Sequence, residues 1–393
     1  MKILMVLEHE FPPDIRVEKE ALSLIDAGHE VHLACSTTKH KPPEEKYKGI
    51  YIHHQHLSVF TYKSSIGCLN FPFYFNFWRN FTKHLFKKYS FDIIHIHDLP
   101  LAQIGIEIKK KHNIPFILDL HENYPSLLEE AQHTKTFLGN IFFSSKQWRK
   151  YEAYCTKQAD NVITVVQEMK NRIINLGIAS EKIIVLENTP DLEELISIPS
   201  KPKSNKIHLI YVGGLNIHRG LQIIIRGLPP VIQEYPSLVL DIYGSGRYFS
   251  ILQQLGVEHK ISKHINFHGS IRQEQVFEMI SLANIALVPH LKSEQTDNSS
   301  PNKLYQYLLM DKFVIASDCD SISRVIKESK CGSIYQHNSP KDFSEKLLKA
   351  LDQQRHLSPC LNGKELLYQK YNWEKSSEAL ITLYHSFSNQ KNK

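Results

Sequence analysis

The chain has 393 residues, 42% of them hydrophobic and 22% charged, a globular composition long enough for two or three domains. Lys and Arg number 47 against 41 Asp and Glu, a formal net charge of +6. That excludes the dense positive footprint of a nucleic-acid binder and suits anionic small molecules or an anionic membrane surface.

The N-terminal "MKILMVLEHEFPP" is a short apolar run ending in an acidic turn, which predicts a first buried strand rather than a signal peptide. No run of about 18 apolar residues occurs, so no transmembrane helix is predicted. The cysteines (Cys35, Cys68, Cys155, Cys319, Cys331, Cys360) are scattered without a C-x-x-C pair. That spacing points to a reduced cytosolic protein rather than a disulfide framework or a zinc site.

From the N-terminus, "KILMVL" leads to a helix from about Arg16 to Ala27, closed by Gly28, and "EVHLAC" follows. "FDIIHIHDL", the helix "LAQIGIEIKKKHN" and "PFILDLHE" come next, then "ADNVITVV", "QEMKNRIINLG" and "KIIVLENTP". Strands this continuous in Ile, Val and Leu, alternating with helical segments, predict a doubly wound parallel sheet. Residues 190–205, "PDLEELISIPSKPKSN", break the rhythm and read as a linker. It restarts with "KIHLIYVGGL", a helix from Gly220, "LVLDIYGSG", "HINFHGS", a helix near Gln273 to Ala283, "IALVPH", a helix after Pro301, and "FVIASD". The expectation is two Rossmann-like halves, residues 1–195 and 196–371. In such sheets ligands bind beyond the carboxyl ends of the strands, here in a shared cleft. A last helix, "NWEKSSEALITLYHSF", follows the second sheet.

Three turns of the second half could hold a phosphate. "YVGGLNIHRGL" places Gly213 and Gly214 after a strand and Arg219 just before a helix start. The glycines allow close backbone approach, and the helix end offers free N–H groups beside a fork-shaped cation. A plain strand-to-helix turn with a solvated arginine would look the same. "DNSSPNKLYQYL" opens a helix at Ser300, Pro301 and Asn302 with Lys303 in its first turn; serine capping is the alternative. "DIYGSG" adds Gly244. In the first half, His97 with Asp98 and His121 with Glu122 stand at successive strand ends, where polar residues face the ligand. Asp14 and Arg16 open the first helix, Asp14 as a cap and Arg16 within reach of a negative ligand. His95, inside an apolar run, reads as a core histidine. His53, His54 and His56 alternate faces along a strand, so no metal site is predicted.

Residues 64–90 hold a charge-free aromatic stretch running into a helix. Tyr74, Phe77, Trp78, Phe81 and Leu85 share one face, and Arg79, Lys83 and Lys87 another. Two readings fit: an interfacial helix on an anionic membrane, or a core helix with a solvated basic face.

Taken in order, these motifs resemble the retaining, nucleotide-sugar-dependent glycosyltransferases of family 4 (group 1), with the GT-B fold. The resemblance rests on "FPPDIRVEKEALSLIDAGHEVHLAC", "FDIIHIHDLP", "FILDLHENYP" and "ADNVITVVQEMKNRI" in the first half. In the second it rests on "YVGGLNIHRGL", "DIYGSG", "INFHGSI", "ANIALVPH" and "SSPNKLYQYLLMDKFVIASD". It implies two Rossmann-like domains facing across a cleft, with the last helix (about 372–393) crossing back to the first. It implies a UDP- or GDP-sugar donor held by the second domain. Arg219 and Lys303 would lie at the diphosphate over Gly213 and Gly214, Gly269 and Ile271 at the base, and His121 at the sugar. No metal cofactor is implied, because helix dipoles and basic side chains stabilise the leaving diphosphate. Asp14, Arg16, His97, Asp98 and Glu122 would line the acceptor side.

Two positions depart from the family pattern: Gly214 where arginine is frequent, and Gln306 where a glutamate accepts from both ribose hydroxyls. Asn298, at the other glutamate position, is a milder departure. The expected activity is hexosyl transfer with retention to a lipid-linked or glycan acceptor in surface polysaccharide synthesis, at the cytoplasmic face of the membrane. The rivals are a nucleotide-sugar epimerase of the same fold and a homologue that binds without turnover. A nicotinamide enzyme is disfavoured because no G-x-G-x-x-G follows the first strand.

Overall fold

The computed structural model describes residues 1–65, 67–130, 144–192 and 205–391. It divides into two compact units, Met1–Glu187 with Ser376–Lys393, and Asn188–Lys375. The linker expected over 190–205 lies mostly outside the described residues.

The first unit is built on strands β1 (Lys2–Leu7), β2 (Glu30–Thr37), β3 (Glu44–Tyr47), β4 (Ile50–His56), β5 (Ile93–His97), β6 (Phe116–Leu120), β7 (Asn161–Thr164) and β8 (Ile183–Val185). Their order is β3-β4-β2-β1-β5-β6-β7-β8, parallel except for the β3–β4 pair. The chain runs outward from β1 on one side and then from β5 on the other, so the switch point lies between β1 and β5. There Val6 pairs with Ile96. Most of β1, β5 and β6 is buried, which is why they are rich in Ile and Leu, with His95, His97 and Asp119 as buried polar exceptions.

Helix Phe73–Lys88 turns its aromatic face into this unit's core: Tyr74 and Trp78 have no exposure, and Phe81 and Leu85 are buried. The interfacial reading of that face is thereby corrected, because a helical stripe facing a core has the same period as one facing lipid. The exposed aromatics precede it or open it: Phe60 (69%), Tyr62 (52%), Phe71 (42%) and Phe73 (52%). From Ser376 onward, helix Trp373–Lys391 belongs to the first unit. There the Tyr384 hydroxyl lies 2.8 Å from His95 Nδ1, both fully buried.

The second unit carries β9 (Ile207–Val212), β10 (Leu238–Tyr243), β11 (Ile265–Gly269), β12 (Ile285–Val288), β13 (Phe313–Ser317) and β14 (Gly332–Tyr335). The order is β11-β10-β9-β12-β13-β14, all parallel. Its switch point lies between β9 and β12. Cys331 and Cys360 are joined by a disulfide, their Cα atoms 5.6 Å apart. This corrects the expectation of unpaired cysteines. The disulfide brings Cys360 back across 29 residues to Cys331, just before β14, and the Cys360 N–H donates to Asp311 O, just before β13.

Candidate active site

At the switch point of the second sheet, β9 runs into Gly213 and Gly214, and β12 into Pro289 and His290. Gly213 and Gly244 have φ of 145° and 147°, and a Cβ on Gly244 would sit 1.9 Å from Gly213 O. Only glycine lets these two turns touch. A Cβ on Gly213 would lie 2.6 Å from Lys303 Nζ, so the bare backbone there makes room for the lysine. Gly220, φ 72°, is pressed as closely against Pro289 O, which fixes the helix that starts behind Arg219. Gly244 N–H donates to Gly269 O at 2.7 Å, tying the "HGS" turn to the same rim.

Lys303 and Arg219 are the cations of this rim. Lys303 is buried, its Nζ 4.1 Å above the Tyr211 ring, while the Tyr211 hydroxyl donates to Gly214 O at 2.8 Å. Arg219 Nη1 lies 2.5 Å from His290 Nε2. Among the described residues neither cation has a carboxylate partner. Burial, with Arg219 beside it, drives the Lys303 pKa well below its usual 10.5. Burial, then Arg219 and Lys303, likewise hold His290 well below 6.5 and bring His218 to about 4. Cations kept from water without counter-charges form a hole suited to an anion.

Helix Asn302–Leu309 opens on the same side. Pro301 is its N-cap and no side chain caps it. Ser300 donates instead to the Tyr305 hydroxyl at 3.3 Å, and Ser299 to Thr296 O at 3.1 Å. The capping alternative for the serines is therefore not realised, and the first-turn N–H groups keep their positive end uncapped by any side chain. Asn298 is buried and donates to Glu294 O at 2.6 Å, turned to its own backbone. Gln306 is half-buried with no side-chain partner among the described residues. Asn302 is exposed and Ile271 half-buried, and among the described residues neither side chain is bonded to Lys303 or Arg219.

In the first unit, His121 Nε2 lies 2.9 Å from Asp119 Oδ2, and its Nδ1 3.6 Å from Asp98 Oδ2. Burial opposes its charge, but Asp98 and Asp119 outweigh burial and raise its pKa to about 10. His121 is thus an imidazolium at neutral pH. Asp119, inside an apolar strand, escaped the sequence reading, although a carboxylate in a run such as "FILDL" was a usable signal. His290 escaped it too, although it closes "ALVPH" as His121 closes "LDLH".

Two expectations are corrected. Arg16 does not present itself to a ligand: it is buried between Asp119 (2.9 Å) and Glu20 (3.0 Å) and donates to Leu186 O at 2.7 Å. Its charge is consumed by Glu20, one turn along its own helix, and by Asp119, which the fold brings from 103 residues away. His97 does not face a cleft: it has no exposure and lies 3.3 Å from Asp119. Asp14 caps its helix through Val17 N–H at 3.1 Å and lies 3.4 Å from His9 Nε2. Asp98 and Glu122 stay partly exposed.

Glu20, His95, His97 and Asp119 bring ligand atoms within 4.8 Å of one another, but the Arg16 guanidinium already lies among them as the cation. His53 and His54 take opposite faces, His53 against His32 (2.9 Å) and His54 against Glu45 (2.8 Å) and Cys35 (3.2 Å). The last two are neighbours that spacing did not suggest.

Two parallel-sheet α/β units, the second with glycine turns, paired cations and an uncapped helix start at its switch point, define the GT-B class of glycosyltransferase. Of solved structures, sucrose-phosphate synthase from Thermosynechococcus elongatus superposes with a TM-score of 0.81 at 15% identity, covering 99% of both chains. The Anabaena HepE protein in complex with UDP gives 0.72 at 13% identity, covering 98% of this chain and 100% of that one. The chain belongs to the glycosyltransferases of family 4, group 1, and is a hexosyltransferase: the model described as Glycosyltransferase Family 4 matches residues 16–194, and that described as Glycosyl transferases group 1 matches residues 191–366. Among curated relatives, an uncharacterized glycosyltransferase of Methanocaldococcus jannaschii is 23% identical over 88% of this chain and 89% of its own. The alpha-monoglucosyldiacylglycerol synthase of Acholeplasma laidlawii is 19% identical over 78% of each.

Proposed function

We propose that the enzyme moves a hexose, with retention, from a UDP- or GDP-sugar to a hydroxyl of a lipid-linked or glycan acceptor in surface polysaccharide synthesis. The observation that carries the donor assignment is the pairing of Lys303 and Arg219 without a counter-charge beside Gly213. A diphosphate supplies the missing charge, and the helix start at Asn302 adds N–H donors and dipole. As the bond to the sugar breaks, charge grows on the diphosphate, and these groups stabilise it without a metal. His121, kept cationic, is the residue assigned to the transferred sugar. The UDP bound to the Anabaena HepE protein supports the nucleotide, and the lipid product in the name of the Acholeplasma relative supports a membrane acceptor. Phe60, Tyr62, Phe71 and Phe73 are the side chains proposed to enter an anionic bilayer at the cytoplasmic face.

A thermal-shift screen with UDP-glucose and GDP-mannose tests the donor reading. The expected result is stabilisation of the wild type by one of them, lost in Arg219→Ala. Stabilisation by neither overturns it. Binding without turnover, the second reading, is favoured by Gln306 and Gly214. Nucleotide release from the stabilising donor decides between the two. Co-sedimentation with phosphatidylglycerol vesicles, lost in a Phe60→Ser, Phe71→Ser, Phe73→Ser variant, tests the membrane contact.

A further inference from the structure

Arg219 and His290 meet because their chain neighbours do. Gly220, after Arg219, lies so close to Pro289 that a Cβ on it would sit 1.6 Å from Pro289 O. His218, before Arg219, accepts at its carbonyl from Leu291 N–H at 2.9 Å. The turn after β9 and the turn after β12 are thus fastened on both sides of the pair. Between the fastenings Arg219 Nη1 lies 2.5 Å from His290 Nε2.

A guanidinium only donates, so Nε2 accepts, and the single proton of a neutral imidazole sits on Nδ1. The ring is neutral because burial first, then Arg219, Lys303 and His218, hold its pKa well below 6.5. His290 is buried, and its Nδ1 has no hydrogen-bond partner among the described residues. A buried N–H left unpaired costs stability, and an apolar side chain would fill the space without that cost. Packing therefore does not explain a histidine at this position, whereas an acceptor for Arg219 does. Arg219 Nε is also buried without a partner among the described residues, so part of the guanidinium fork is left for a ligand.

Arg16 in the first unit shows the alternative. Asp119 and Glu20 hold it and neutralise it. A carboxylate orients a guanidinium and cancels its charge, while an imidazole nitrogen orients it and leaves the charge in place. Resting on the donor reading, we propose that His290 is the positioning residue of Arg219: its Nε2 aims the guanidinium at the donor diphosphate and leaves the full positive charge to meet it.

The test uses the full chain and measures, by calorimetry, affinity for whichever nucleotide-sugar gives the thermal shift. His290→Leu removes the acceptor and is expected to weaken the donor about tenfold, with the melting temperature of the free protein not lowered. His290→Gln, whose terminal amide reaches the place of Nε2, is expected to recover most of that affinity. His290→Glu also holds the guanidinium but cancels its charge, and is expected to bind no better than His290→Leu. In an Arg219→Lys background, whose ammonium rotates and has no planar fork to aim, His290→Leu is expected to cost about threefold or less. Should His290→Leu melt lower than the wild type, His290→Asn, which keeps a polar group at the Nδ1 end and none at Nε2, is read in its place. Wild-type affinity in His290→Leu, no recovery in His290→Gln, wild-type affinity in His290→Glu, or an undiminished loss in the Arg219→Lys background would each overturn the proposal. Failure of the donor reading shows separately, as no thermal shift of the wild type by any nucleotide-sugar.

Discussion

Lys303 Nζ rests 4.1 Å from the Tyr211 ring centroid, and among the described residues its buried charge meets no carboxylate. The ring's electron-rich face attracts an ammonium but does not replace a carboxylate. With its pKa depressed by burial and by Arg219, Lys303 gives up its proton more readily in the free protein. A bound diphosphate reverses this. Binding of UDP-glucose, whose diphosphate does not titrate near neutrality, is therefore expected to take up a proton and to weaken as pH rises, by up to about tenfold per unit. His218 and His290 share the same field and share the uptake. Calorimetry in two buffers of different ionisation enthalpy reads it, and Lys303→Met should diminish it. Equal heats in both buffers would remove the linkage.

Gln306 stands on helix Asn302–Leu309, half-buried and without a side-chain partner among the described residues. A neutral amide accepts at one atom and donates at the other, whereas a carboxylate accepts at both. Gln306→Glu is expected to tighten the nucleotide-sugar by about 1 kcal/mol, with gains up to about 2. Unchanged affinity and turnover would show that this position does not meet the ribose.

Gly214 differs from its neighbour Gly213 in having room. A Cβ there meets only Asn216 Nδ2, at 3.6 Å, an ordinary contact. Gly214→Arg is therefore expected to fold normally and to add a cation to the diphosphate side, tightening donor binding about fivefold to tenfold. The matched control, Gly213→Arg, should fail, since φ is 145° and its Cβ would strike Lys303. Similar behaviour of the two variants would contradict this picture of the loop.

How much of this was written in the chain depends on the range of each interaction. β1, β5 and β9 were legible because a strand with a buried centre is largely apolar, even with His95 and His97 in β5 and His208 in β9. "GGLNIHRG" was legible because turn, glycine and cation lie within eight letters. The disposition of Arg16 was not, because its partner Asp119 is 103 residues away, and an arginine opening a helix looks alike whether it meets a ligand or a buried carboxylate. His97 and Asp98 are adjacent letters, yet one is fully buried and the other partly exposed. The turn at Asp98, φ 69°, parts them, and nothing in "HIHDLP" announces it. The aromatic face of Phe73–Lys88 had the right period for two destinations, and only the packing of Tyr74 and Trp78 chose.

The Asp119–His121 pair makes the first unit's stability depend on alkaline pH. His121, raised to about 10 by Asp98 and Asp119 against burial, contributes stability that is fully present below its ordinary 6.5. That contribution is lost as pH rises through about 10. Asp119 is held well below 3.8, burial being outweighed by Arg16 and His121. Its contribution persists above 3.8 and fails only in acid, so alkaline loss belongs to His121. Trp78 and Trp148 lie buried in the first unit and Trp373 in the second, so a Trp373→Phe background lets fluorescence follow the first unit in urea. Between pH 6.5 and 10 its unfolding free energy is expected to fall by on the order of a few kcal/mol, and His121→Asn should flatten the decline. Asp119→Asn should lower stability at every pH in that range, by about 3 kcal/mol or more, because it strands Arg16 and His121 without their shared carboxylate. A pH profile identical in wild type and His121→Asn would mean that His121 is not held cationic, and the charge assigned to it would have to be withdrawn.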